Sequence, residues 1–387
     1  MARITQQSSI GTTGTSFENE PIVKSDGASS DVMEWAASTG SSAVKITEDS
    51  NNNLNLTVDG VSLSNVGAKI ESITSSVTVG AVFVYDTRND SDGGAWRKKC
   101  AGLSWYDEDL NTATRGGRRE FPSVALIVAD NVTNDTVSIY DLDDVSAPLW
   151  MQISAGSSST AALRNADISS IYALNGRVQI GSQAGLFRVS FVDDTINQIF
   201  TSDRQRDYLG PIATRGDSLG YGGTYAAGGG IVNDTVNDVA ATVLEGAEIG
   251  ALGLPIPTVA VATAGGTSVI LANGTVNSSS NTGAKSAIAF DETGTIFASR
   301  HHATDSFVHL STAAQYHSAT FGHDTIVEED HTTVSGFAYG PMYRGSNAEV
   351  AITDKGFAFG TDEGLNIYKH NTSYLDESAV AYITSDY

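Results

Sequence analysis

Two groups of residues have types and spacings that could do chemistry. Gly216-Asp217-Ser218-Leu219 is a tetrapeptide in which a serine can attack an acyl carbon, given a base from an Asp-x-x-His further along the chain. No Asp-x-x-His follows, and the tetrapeptide sits mid-chain beside glycines instead of after an N-terminal strand, so an esterase is not expected. The overlapping Arg215-Gly216-Asp217 matches an integrin-binding tripeptide, but its three residues are common in loops. Six of the seven histidines, His301, His302, His309, His317, His323 and His331, fall in one stretch with Asp305, Asp324 and Asp330. Metal binding needs two or three to converge, and no His-x-His or His-x-x-x-His is present. The expectation is a set of exposed or interface histidines that would make assembly sensitive to pH.

Acidic turns are the other possibility. Asn89-Asp90-Ser91-Asp92-Gly93 could offer oxygens to calcium, but the twelve-residue loop ending in Glu is absent. Asp92-x-Gly94 ahead of Trp96 has the spacing, one residue short, of the Asp-box turn of sialidase propellers, which braces a turn. The arginine triad and tyrosine nucleophile of a sialidase do not accompany it in recognisable order. No catalytic, cofactor or metal residue is therefore assigned, no cofactor is expected, and the chain is read as not an enzyme.

The elements that must position these residues are strands. Thirty-nine glycines, seven prolines and many Ser, Thr, Asn, Asp and Val suit short strands and tight turns, and leave little material for long helices. A net charge of −23 repels phosphate over most of the surface, so no nucleic-acid partner is expected. The lone Cys100 excludes an internal disulfide framework and reads as a buried small hydrophobe. No apolar run is long enough for a bilayer and the first residues lack a secretory core, so neither export through such a signal nor membrane insertion is expected.

From Val124 onward a unit recurs: strand, Asn/Asp-Gly turn, strand, glycine turn, strand. Copies start near 124, 171, 258, 287 and 350, with Asn175-Gly176, Gly265-Gly266 and Asn273-Gly274 among the turns. Small antiparallel sheets buried on both faces give this signature, so the fold class expected is all-β: an irregular β-propeller-like body over residues 72–387, with a β-sandwich assembly as the alternative. Residues 1–71 are expected to be a short extended, hairpin-bearing docking arm. Leu219–Gly230 is too glycine-rich for a core strand, and Val239–Glu245 reads as one short helix.

Between these regions Arg97, Lys98, Lys99, Arg115, Arg118 and Arg119 reverse the local charge. Pairing with Asp107, Glu108, Asp109 and Glu120 would lock a long loop over the body, which is favoured over an anion-binding patch. The surrounding block, from Asp92-Gly93-Gly94-Ala95-Trp96-Arg97 through Ser104-Trp105-Tyr106, Asn111–Gly116, Arg119-Glu120-Phe121-Pro122 and Ile139-Tyr140-Asp141 to Leu149-Trp150-Met151, resembles a block in virion proteins of marine tailed bacteriophages. Val32–Leu56, with Glu34-Trp35 and Ala43–Thr47, is similar to β-motifs in the N-terminal parts of phage fibres and tail appendages, which are commonly trimeric. The resemblance implies a structural virion component of tail, nozzle or fibre, in a homo-oligomer, trimer or hexamer. Its partners would be other virion proteins and a host-surface glycan or protein. The alternatives are a carbohydrate-binding or glycan-depolymerising tailspike, and a capsid decoration or head-fibre protein.

Overall fold

The computed structural model describes most of residues 78–321, with short gaps, and separate strand segments before and after them. The chain divides into two compact units, Met1–Ser75 with Val145–Ala147, and Ser76–Asp144 with Pro148–Tyr387. In the first unit β1 (Asp31–Ala36), β2 (Ser42–Glu48), β3 (Leu54–Val58) and β4 (Val61–Ser62) form an antiparallel meander. The segment expected as an arm thus holds a small sheet, and its strands begin earlier than the polar composition before residue 43 suggested. Val32, Met33 and Trp35 supply apolar, strand-compatible residues that the Ser and Gly clusters on either side obscure.

The second unit is a series of sheets. The first joins β5 (Val79–Asp86), β6 (Val124–Asp130), β7 (Thr136–Asp141), β8 (Leu149–Gly156) and β9 (Leu163–Arg164). The next is β10 (Ile168–Leu174), β11 (Arg177–Ser182), β12 (Gly185–Ser190), β13 (Thr195–Phe200), β14 (Arg204–Tyr208) and β15 (Tyr221–Gly222). A third contains β16 (Val236–Thr242), β17 (Thr258–Thr263), β18 (Gly266–Ile270), β19 (Val276–Ser279) and β23 (Thr320–Phe321). The fourth is β20 (Ile288–Phe290), β21 (Ile296–His301), β22 (Ser306–Ser311) and β24 (Asp324–Glu328). The last is β25 (Glu349–Thr353), β26 (Gly356–Thr361), β27 (Gly364–Lys369) and β28 (Ala379–Thr384).

Apart from the short end strands these are up-and-down antiparallel meanders. Their first strands neighbour one another in chain order: β5 against β10, β10 against β16, β16 against β20, and β20 against β25. That serial packing of innermost strands is the propeller-like arrangement the recurring unit anticipates. Apolar cores fill the seams between the sheets. Tyr85, Ile127, Ile139, Ile180, Phe187 and Val189 belong to one core, and Leu186, Ile199, Val239, Val259 and Ile270 to the next. A third gathers Ala260, Val269, Ile296 and Phe321. Strands β11, β12, β17 and β18 are buried on both faces almost throughout.

One local expectation fails. Val239–Glu245 is not a helix: Val236–Thr242 is the first strand of its sheet, with Val239 opposite Val261 and Ala241 opposite Val259. Alanines make the segment look helical, but β-branched residues and a waiting partner strand override propensity. The glycine-rich stretch, read as unsuited to a core strand, contributes Tyr221–Gly222 as a two-residue edge on β14.

Candidate functional site

The seam between the first two sheets of the second unit is built around Asp90. Its Oδ2 accepts from the Tyr85 hydroxyl at 2.6 Å and the Trp96 indole N–H at 2.7 Å, and its Oδ1 accepts from the Asn175 backbone N–H at 2.7 Å. Asn175 and Gly176 form the β10–β11 turn with φ of 52° and 70°, the left-handed pair that an Asn-Gly hairpin turn requires. Gly176 N–H donates to the Tyr85 hydroxyl at 2.7 Å, and Ser91 N–H donates to Asn175 Oδ1 at 2.9 Å. A turn of one sheet is thereby tied to a loop of its neighbour. Burial pushes the Asp90 carboxyl up despite these donors, and drives the Tyr85 phenol well above its ordinary value.

This brace corrects the turn reading. Asp90, two residues before Asp92, grips Trp96. A calcium ion at Asn89–Gly93 would have to displace three donors from Asp90, so the sequence signal belongs to a turn stabiliser.

Around the brace lies an aromatic cluster. Phe121 packs 4.7 Å from Trp150, 5.0 Å from Phe191 and 5.4 Å from Trp96, while Trp105 meets Trp150 at 5.6 Å, all ring centroid separations. The Arg115 guanidinium lies 4.3 Å from the Trp150 ring and donates to the Trp150 and Arg119 carbonyls, each at 2.8 Å. Burial pulls its pKa down to about 10. Glu108 Oε2 sits 3.8 Å from Arg115 and accepts from Arg215 at 2.8 Å. Arg119 faces Asp107 at 3.9 Å, and Arg118 reaches Asp141 and Asp143 at 3.0 and 2.5 Å. Asp141 and Asp143 take the role expected of Asp109 and Glu120, neither of which forms an ion pair among the described residues. Glu120 contributes its carbonyl, to the Trp150 indole at 2.8 Å.

Arg215 of the Arg-Gly-Asp tripeptide is a buried strut, donating to Gln152 O at 2.7 Å and Thr114 O at 3.0 Å. Gly216 and Asp217 lie in the following turn, where Tyr208 hydroxyl donates to the Asp217 carbonyl at 2.6 Å; Ser218 is outside the described residues. His302, His323 and His331 are outside them too, as are the side chains of His301 and His309. His317 is exposed, with Nδ1 2.6 Å from the Ala313 carbonyl. Among the described residues no three His, Cys, Asp or Glu side chains converge. Cys100 is buried with its thiol pushed up to about 12, chiefly by burial.

One cavity, about 480 Å³, opens where β5, β10, β16 and β20 meet, and sequence reasoning did not single it out. Phe83 and Tyr172 form its aromatic wall, with centroids 5.1 Å apart, and Phe290, Asp238, Asp291 and Glu292 complete the rim. Asp238 is engaged on three strands: it accepts from Ser170 Oγ at 2.7 Å, its neighbour Val239 N–H at 2.8 Å and Ile288 N–H at 2.8 Å. Asp291 Oδ1 closes its own turn by accepting from Thr293 N–H at 2.9 Å and Thr295 N–H at 2.8 Å. Among the described residues no lysine or arginine lines the cavity. Aromatic faces beside carboxylate acceptors suit a neutral polyhydroxylated ligand better than an anion.

No protein-family model matches the sequence, and no curated protein matches it either. Among solved structures the chain is similar to virginiamycin B lyase from Staphylococcus aureus, at 8% identity over 92% of this chain and 84% of that one, TM-score 0.39. It is also similar to the β-propeller domain of Cps50 (Swd1) from Myceliophteria thermophila, at 10% identity over 67% and 83%, TM-score 0.35. PorZ, a surface component of the type-IX secretion system of Porphyromonas gingivalis, aligns at 9% identity over 64% of this chain, TM-score 0.35. The chain spans 25% of the PorZ length. These proteins have unrelated roles, and none is carried across.

Proposed function

We propose that the chain is a non-catalytic structural and interaction component of a tailed-phage virion, of tail, nozzle or fibre, whose rigid body presents loops to other virion proteins or to the host surface. The observation that carries the non-catalytic part is the commitment of carboxylates to fastening the backbone. Asp90, Asp194 and Asp238 each accept from groups on separate segments, and Asp143 accepts from the Ser123 and Val124 backbone and from Arg118. A carboxylate saturated by donors is a poor general base and a poor nucleophile. The virion assignment draws on the resemblance of the Asp90–Trp150 block, whose aromatic residues Trp105, Phe121 and Trp150 pack on Phe191 at the end of β12.

Cryo-electron microscopy of particles from a producing host, with an antibody against the chain, tests the reading. Density at a fixed symmetric station on the particle supports it, and a chain found only in the infected cell overturns it. Glycan binding is a second reading, favoured by the Phe83–Tyr172 wall of the cavity. Release of reducing ends from host polysaccharide would move the assignment to a depolymerase.

A further inference from the structure

The cavity where β5, β10, β16 and β20 meet combines aromatic faces with carboxylates whose hydrogen-bonding capacity is largely taken up. Phe83, Tyr172 and Phe290 line it, and each is half-buried, so part of each side chain is open to an occupant. Phe83 and Tyr172 stand at 43° to one another, and Phe290 meets Tyr316 edge to face with centroids 6.4 Å apart. Three rings around a volume of about 480 Å³ give an occupant π faces on several sides.

The carboxylates decide the kind of occupant. Asp238 uses Oδ1 to accept from Ser170 Oγ and the Val239 N–H, and Oδ2 to accept from the Ile288 N–H. Asp291 Oδ1 accepts from the Thr293 N–H, the Thr293 hydroxyl and the Thr295 N–H. These donors are neutral, so they occupy lone pairs without cancelling charge. A sugar needs open acceptors for its hydroxyls, and a primary ammonium needs them for its N–H groups. A quaternary ammonium needs none, being held by charge acting through space and by aromatic faces. Glu292, exposed on the rim, adds a third negative group, and the net charge of −23 draws cations toward the opening.

We infer that this cavity binds a small quaternary ammonium cation, with Phe83, Tyr172 and Phe290 beside the methyl groups and Asp238, Asp291 and Glu292 supplying the negative potential. The volume exceeds the needs of a tetramethylated nitrogen alone, and Ile171, Val239 and Ile288 give a short chain on that nitrogen an apolar wall. The inference uses the cavity of the glycan reading but not its ligand, and it is independent of the virion assignment. Attraction between unlike charges at a partly open site weakens as salt screens it, so affinity should fall with ionic strength.

Calorimetric titration of the full chain with choline tests this, against ethanolamine, glucose and the neutral isostere of choline in which a quaternary carbon replaces the nitrogen. Saturable choline binding is expected, with the neutral isostere weaker by about tenfold or more and ethanolamine weaker than choline. Tyr172→Leu removes a π face and should weaken choline binding, whereas Tyr172→Phe keeps the face and should leave it within about twofold. Glu292→Lys puts a cation on an exposed rim position and should weaken binding by about tenfold or more. That surface variant keeps the test decisive if Tyr172→Leu fails to fold. The proposal is overturned if choline does not bind, if the neutral isostere binds as tightly, or if Glu292→Lys binds choline as well as the parent. Equal binding of ethanolamine overturns the quaternary assignment. Binding of glucose without choline overturns this proposal and leaves the glycan reading in place, and binding of neither removes both.

Discussion

Asp143 shows how single acids are used in this chain. Burial alone would raise its pKa, but hydrogen bonds from the Ser123 side chain and backbone, the Arg118 guanidinium and the Val124 N–H hold it near 2. A carboxyl depressed in the folded state contributes stability above its unfolded pKa, near 4, and loses it as pH falls through 2. Asp143→Asn should therefore lower the thermal midpoint at neutral pH, by a contribution of at most about 2 kcal/mol after solvent screening of this partly exposed group. The difference from the parent should vanish near pH 2, as a pH series of thermal melts would register. Asp90→Ala is a harsher change. It orphans the Tyr85 hydroxyl, the Trp96 indole and the Asn175 amide, and at about 1–3 kcal/mol for each buried unpaired donor the loss in urea unfolding should exceed about 3 kcal/mol. A loss below about 1 kcal/mol would mean that the brace is not fastening the seam.

Among the elements, the turns specify most of the strand pairing. At Gly176 an added Cβ would come within 2.6 Å of Val192 and 3.2 Å of Trp96, whereas at Gly274 it would meet open space, and both residues have positive φ. Gly274→Ala should cost only the left-handed backbone penalty, about 1 kcal/mol, and Gly176→Ala should cost clearly more because the cluster must shift as well. Equal shifts in the unfolding midpoint would count against the tight packing of that turn. The Asn-Gly pairs and the apolar runs beside them were legible in the sequence because local chemistry alone produces them. The β16 strand was not, because what makes Val236–Thr242 extended is β17, a partner that lies beyond a loop. Asp90 was missed for a related reason. The Asp-rich stretch offers Asp90 and Asp92 alike, and only the distant Asn175 and the nearby Tyr85 decide between them.

At the scale of the whole molecule, a net charge of −23 sets the long-range behaviour. If the body assembles with copies of itself, acidic surfaces approach one another, and raising salt from low to physiological levels should strengthen association by screening that repulsion. Sedimentation velocity across a salt series should show larger species at higher salt, and the reverse order would point to association through opposite charges instead. The aromatic cluster also has an optical consequence. Trp96, Trp105 and Trp150, three of the four tryptophans, are fully buried in one seam. Their emission should be blue-shifted and shielded from acrylamide, with energy passing between indoles less than 6 Å apart. Intrinsic fluorescence would therefore report the parting of the first two sheets of the second unit and stay nearly silent to events at β20–β28. A fluorescence transition that precedes the loss of far-ultraviolet circular dichroism would identify that seam as the place where the molecule opens.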